Sequence, residues 1–361
     1  MNSNSFLRRQ LVPVASLVIA AISAQAITPT RVVPLPSDTP NRLSGSIRVA
    51  FNVTTEFQNI AGFTSIGGMQ FTPTGELYNY DDGYVLVDST GNLMGYTRYW
   101  GYNYDSGELN QLPGDGTILM NRYSSSGATV GGNTDEPLPG FEINYRRELG
   151  RSDNWRWGME TAGNYMRVTT YQSSTVSSSV TRLTDAYQLP ALDGGGFVNP
   201  PPAAYSHGPD LSLTGNTVIG ATPISSTTDS FMTSVSGSRD FEADVIGWRV
   251  GPYVEFPLGK KGSVSLSGGF SLAYVGSDFH FDDVIALQDA PRTSGGGGDG
   301  KFVLGAYASG EVSYQLGNSW EVVGGVQFQH LENYRHQESG RSAVLDMGKS
   351  VFVSVGVHYS F

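Results

Sequence analysis

The 361-residue chain carries 22 Lys and Arg against 33 Asp and Glu, a formal net charge of −11, with only 15% charged residues, 46 Gly and no Cys. This balance excludes a basic nucleic-acid binder, which needs clustered cations to neutralise phosphate. It also excludes a disulfide scaffold, a thiolate metal site and a cysteine nucleophile, and leaves a Gly-rich, charge-poor β protein.

The first 26 residues read as an export signal. Arg8 and Arg9 precede an apolar run from Leu11 to Ile22, and Ala24-Gln25-Ala26 gives the small-x-small pattern cleaved after Ala26. The run is too short to cross a bilayer, which takes about 20 apolar residues. Residues 27–43, with Pro34, Pro36 and Pro40, read as an extended periplasmic lead-in.

Eight segments then alternate apolar with polar or small residues: 47–57, 141–149, 155–166, 246–258, 264–275, 302–316, 320–328 and 351–361. In the last, Val351, Val353, Val355, Val357, Tyr359 and Phe361 share one face, against Ser354, Gly356, His358 and Ser360. Alternation of period two assigns β-strands with two different faces. The apolar faces are long enough to span a bilayer, as strands of 9–11 tilted residues do. Aromatics mark their ends at Trp155, Phe256, Tyr314, Trp320, Tyr359 and Phe361, which an up-and-down barrel aligns into one girdle.

Short links (Gly150–Asn154, Gly259–Gly262, Gly317–Ser319) alternate with long ones over 58–139, 172–239, 282–299 and 335–342. The expected fold is therefore all-β: an antiparallel up-and-down transmembrane β-barrel of eight strands over 44–361, with long extracellular loops. Both termini are then periplasmic. Stretches 84–100 and 117–123 are expected to form a hairpin above the barrel; the alternative, two further membrane strands, gives ten.

On this pattern the chain resembles the eight-stranded outer-membrane β-barrels of Gram-negative bacteria, the OmpA/OmpX/OmpW-like group. The resemblance covers the signal and all eight strands. Its most specific element is the tail with Val353, Val355, Val357, Tyr359 and Phe361, which looks like the signal read by the barrel-assembly machinery. A second resemblance is to a barrel group with a Tyr-Asp-Asp-Gly-Tyr segment, here Tyr80–Tyr84, and a Gly-Pro-Tyr-x-Glu-Phe-Pro-Leu strand end, here Gly251–Leu258. The resemblance implies an outer-membrane location and, as partners, lipid bilayer, lipopolysaccharide, the assembly machinery and periplasmic chaperones. It supplies no reaction. No wall-binding periplasmic domain is expected after Phe361.

The strongest chemical constellation is a set of charges on the inward faces: Arg48, Glu142, Arg146, Arg156, Glu160, Arg249, Glu255, Glu311 and Glu321, with Glu56 and Glu148 also placed inward. Eight strands leave an interior just wide enough for side chains, and charges buried there must pair. The expectation is a charge-plugged lumen in a non-enzymatic barrel that acts structurally or through its acidic and Ser/Thr-rich loops on an unknown extracellular ligand. The alternative is a narrow channel for ions or small solutes, lined by the same Arg and Glu. His358-Tyr359-Ser360 superficially resembles the His-x-Ser of lipid A deacylases but sits at the wrong end and faces inward. His280 with Asp282 and Asp283, and His330 with His336, are rim groupings. No catalytic residue, cofactor or metal is assigned, and Asp81, Asp82 and Asp88 read as a solvated acidic loop rather than a Ca²⁺ site.

Overall fold

A computed structural model describes residues 40–361 apart from 64–67, 73–74, 89–94, 98, 103–110, 135–136, 192–195, 197–217, 287–292 and 318. The signal segment with Ala24 and Ala26, and nearly all of the lead-in, lie outside the described residues.

Eight strands form the wall: β1 (Asn41–Phe51), β2 (Leu138–Ser152), β3 (Trp155–Gln188), β4 (Ser225–Leu258), β5 (Gly262–Ile285), β6 (Thr293–Gln315), β7 (Trp320–Leu331) and β8 (Ser350–Ser360). Each pairs antiparallel with its chain neighbour, and β1 pairs with β8, so the ring closes. Closure leaves no edge in the ring, which is what a strand-built wall needs in hydrocarbon. The ten-strand alternative is not adopted. Gly83–Asp88 and Trp100–Tyr102 pair in a separate small sheet, and Thr117–Ser125 pairs with the distal part of β3, so the expected hairpin of 84–100 with 117–123 is not formed either.

The outer face of the wall is an apolar belt. Ile47 is 70% exposed, Phe270 80% and Val355 64%, a cost no water-facing sheet sustains over a whole circumference. On β4 the apolar row runs from Ile246 to Phe256, about 25 Å at roughly 2.5 Å of axial rise per tilted residue, the height of a bilayer-spanning band. Exposed Trp155, Phe256, Tyr314, Trp320, Tyr359 and Phe361 girdle the end with the short turns, with Trp320 and Tyr359 packed at 4.9 Å. Phe141 with Tyr165, and Tyr274 with Phe302, mark the other boundary at 5.5 and 5.1 Å. Val353, half-buried, and the exposed Val357 continue the β8 row. At the turn after β4, Gly259 adopts φ +70°, a conformation glycine takes without strain.

Four expectations change. First, the segment 47–57 is not one strand. Asn52 has φ +59°, a left-handed conformation Asn tolerates. The chain turns inward there, so Val53 and Phe57 are fully buried instead of facing out, and Glu56 is exposed instead of facing in. Second, β1 starts at Asn41, inside the presumed lead-in.

Third, the described residues of two of the presumed long loops are largely strand. β3 and β4 continue as a paired hairpin to Ala186 and Ser225, and β5 with β6 to Asp283 and Thr293. Gly295–Gly298, expected as a flexible link, pairs with Phe281 through Asp278. A Cβ at Gly295 would meet the Phe281 ring at 2.8 Å and one at Gly296 the His280 ring, so these glycines let aromatic side chains lie across the strand. Fourth, 335–342 lies within a hairpin of Tyr334–Glu338 and Arg341–Asp346 that pairs with Thr54–Ile60.

The core is in the distal half of the barrel, away from the short turns. Val53, Phe57 and Ile60 of the inturned segment meet Tyr334, Leu345 and Met347 of the hairpin region and inner-wall residues such as Val245, Phe241, Val275 and Phe279. Phe57 stacks on Phe279 at 5.7 Å. A second core around Tyr80, Trp100, Ile118, Met120 and Tyr187 sits at the tip of the β3–β4 hairpin.

Candidate functional site

Strict alternation on each wall strand sends every second side chain into the lumen. All nine sequence-selected charges, with Glu148, stand on the inner wall; Arg48, Glu142, Arg146, Arg156, Glu160, Arg249, Glu255 and Glu321 are buried, while Glu311 and Glu148 are partly buried. Register makes some pairs unavoidable. Arg146 lies directly opposite Glu160, and Arg156 opposite Glu255.

The network forms a continuous web. Glu255 takes Arg156 and Arg42, each at 2.5 Å. Arg146 bridges Glu160 at 2.8 Å and Glu311 at 2.7 Å. Arg249 reaches from β4 to Glu142 on β2 at 2.8 Å and also binds Glu160. Arg48 binds Glu142 at 2.5 Å and lies 3.6 Å from the centre of the Phe352 ring. Ser267 and Tyr307 donate to Glu160 at 2.7 and 3.0 Å. Such forked, charge-assisted bonds are the strong class.

Alternation read from Ile47 onward leaves out Arg42, which lies in the same inward row. Arg42 shares parity with Ser44, Ser46 and Arg48, and that signal was available. With it the web holds Arg42, Arg48, Arg146, Arg156 and Arg249 against Glu142, Glu160, Glu255, Glu311 and Glu321, and Glu148 at its edge is matched by Arg151 at 2.7 Å, so the set is charge-balanced. Arg42 faces its register partner Arg146. The Tyr253 ring lies near both, with guanidinium carbons at 5.6 and 5.4 Å, a contact that offsets like-charge crowding. His358 lies 3.5 Å from Glu311 and 3.8 Å from Glu321.

Beyond the web the inner wall turns apolar and meets the plug of Val53, Phe57 and Ile60. One charged group is embedded there. Asp283, fully buried, binds Arg239 and accepts from Arg341 Nε at 3.4 Å, while Arg239 also donates to Gln172 at 2.6 Å. Alternation singles out none of Arg239, Gln172 and Arg341, and all three fall in segments that read as loop, 172–239 and 335–342.

The rim groupings are divided by the wall. His280 and Asp282 fall on the outer row of β5, whereas Asp283 points inward. His330 is exposed and binds the Gly348 carbonyl at 2.7 Å, while His336 is buried against Ser277 at 2.7 Å. Asp81 and Asp82 hold strand backbone: Asp81 accepts the Tyr123 N–H and Asp82 the Asn121 N–H, both at 2.7 Å. Among the described residues no group of three or more His, Asp or Glu side chains is arranged to hold a metal ion. A groove of about 540 Å³ opens on the outer wall, not the lumen, beside Tyr274, Asp244 and Asp278.

No family model matches the chain, and no curated protein matches it. Among solved structures it is similar to the outer membrane protease OmpT from Escherichia coli, at 11% identity over 94% of this chain and 99% of that one, TM-score 0.31. It is also similar to Ail, the attachment invasion locus protein of Yersinia pestis, at 8% identity over 88% and 99%, TM-score 0.23. The P. putida toluene transporter TodX follows at 8% identity over 90% and 91%, TM-score 0.17. Overlaps this loose carry no function, and the barrel assignment rests on the closed strand ring itself.

Proposed function

We propose that the chain is a non-enzymatic outer-membrane barrel with a sealed lumen, which acts through the layer it raises beyond the membrane. The observation that carries this reading is the double filling of the barrel. A charge-balanced web occupies one half, and an apolar plug occupies the other. Among the described residues the members of this web are nearly all buried and paired, which supports a lumen without a wet path.

The short turns and both described termini belong at the periplasmic end, and the extended hairpins outside, following the asymmetry of such barrels. Cleavage after Ala26 and recognition of the β8 tail, with Tyr359 and Phe361, by the assembly machinery after periplasmic chaperones belong to the same reading. The test is swelling of liposomes that contain the folded protein in isotonic solutions of small sugars and amino acids. The sealed barrel gives swelling no faster than protein-free liposomes. Rapid, size-dependent swelling would establish the channel in its place.

A further inference from the structure

Charge is balanced within the web, but at the distal end of the plug it is not. Two guanidinium groups there share one carboxylate. Asp283 of β5 binds Arg239 of β4 through one oxygen and accepts from Arg341 Nε at 3.4 Å through the other. It also accepts the Ala61 N–H at 3.3 Å. The side chains of Arg239, Arg341 and Asp283 are 1%, 5% and 0% exposed, so the cluster holds one surplus cation out of water.

The neighbouring groups do not make up the difference. Glu338 is the register partner of Arg341 but accepts from Ser339, and Asp299 accepts from Tyr334. Asp240 and Asp282 stand on the outer row of the wall. Gln172, which accepts from Arg239 at 2.6 Å, is neutral. The Phe281 ring, 4.8 Å from the Arg341 guanidinium carbon, offsets only part of a charge. Among the described residues no other carboxylate forms an ion pair with either guanidinium. Two donors are left over: Arg239 Nε and Arg341 Nη2 are buried without an acceptor among the described residues. Charged donors buried unpaired are strongly destabilising, and a water molecule would satisfy the donors but not the charge.

We infer that this cluster is a binding site for one small monovalent anion, a halide, which completes the set of Asp283, Arg239 and Arg341. The ion then pins the hairpin of Tyr334–Glu338 and Arg341–Asp346 to the β4–β5 wall. A single negative charge closes the count, whereas a phosphate or sulfate dianion would reverse the imbalance. The buried Ala61 and Phe281 beside the cluster disfavour a large hydrated anion. The turn at Ser339 and Gly340 is exposed, and the Ser339 carbonyl accepts from Arg341 at 3.1 Å, so the site lies close under the surface. The inference goes beyond the sealed-barrel reading and holds whether or not the lumen conducts.

The test is the unfolding midpoint of the full-length folded protein in vesicles, read from loss of strand circular dichroism. It is measured in sodium chloride, sodium bromide and sodium gluconate at equal ionic strength. A specific site gives a midpoint several degrees higher in chloride and bromide than in the bulky gluconate, saturating with concentration as ligand linkage requires. Gln172→Glu supplies the missing charge beside Arg239, so it should reach the chloride midpoint in gluconate and lose the halide dependence. Arg341→Gln removes the surplus cation and should also lose the dependence, whatever its absolute midpoint. Equal native midpoints in the three salts would overturn the inference. So would a halide dependence that persists undiminished in both variants, the mark of a general salt effect. In crystals soaked with bromide, anomalous scattering should place one ion against Arg239 and Arg341; bromide confined to the protein surface would contradict the site.

Discussion

Arg249 shows how much rests on single side chains here. It joins Glu142 and Glu160 from two other strands, so Arg249→Ala leaves two buried carboxylates short of their cation. Breaking a buried pair from one side costs about 3–5 kcal/mol, and the unfolding midpoint, read from heat-modifiable gel mobility, is expected to fall accordingly. Adding Glu160→Gln should return much of the loss, since Glu142 then keeps Arg48 and Arg146 keeps Glu311, and one cation and one carboxylate have been removed together. A second residue-scale prediction concerns Asp82, outside the barrel. Burial, partly offset by hydrogen bonds from Asn121, raises its carboxyl to about 7 from an ordinary value of 3.8. A raised acid binds its proton more tightly folded than unfolded. Its stabilising contribution is complete below about 3.8 and is lost as pH rises through about 7. Protease cleavage within 78–86 or 117–123 should accelerate from pH 5 to pH 8, and Asp82→Asn, cut in parallel, should show no such rise beyond the protease's own response. The inward charges were legible because each sits in a row of strict parity. Asp283 with Arg239 and Arg341 was not, because its partners converge from segments that alternation alone does not bring together.

The strand β8 is the element on which periodicity spoke most plainly. Its outer row is apolar and exposed, and Val355 lies near mid-span. Val355→Arg should destabilise the barrel by about 2–4 kcal/mol, the cost of an Arg at the bilayer midplane on the lipid face. Ser354→Arg, pointing into the web, should act through overpacking and charge imbalance instead, and the two are separated by unfolding titrations in vesicles. Truncating Tyr359 and Phe361 to Ala should sharply lower the inserted fraction, measured as the proportion of unheated protein migrating as the compact form. An unchanged fraction would remove the tail from assembly. Other elements were less readable for physical reasons. β3 and β4 outgrow the membrane, and above it the outer face becomes Ser and Thr while the inner face mixes Val176, Val180 and Val235 with Ser, Thr and Gly, so the contrast that reveals a strand weakens. At Asn52 the apolar pattern continues unbroken while the backbone turns inward with φ +59°. Val53 and Phe57 therefore read as lipid-facing although they fill the lumen.

At the scale of the molecule, the ring of eight strands was legible because lipid imposes one rule on every outward position. The inner filling obeys no single rule: balanced charge in one half gives way to hydrocarbon in the other. The two halves close the barrel by different means, which makes closure robust to one substitution but open to a graded test. The most direct measurement is ion current through the protein in a planar bilayer, comparing the native chain with Arg249→Ala and with Arg249→Ala combined with Phe57→Ala. The sealed barrel predicts no steady conductance for the native chain, little for the single variant while the apolar plug remains, and clear openings when both layers are breached. Steady conductance of the native chain, with Arg249→Ala changing only its ion selectivity, would contradict the account.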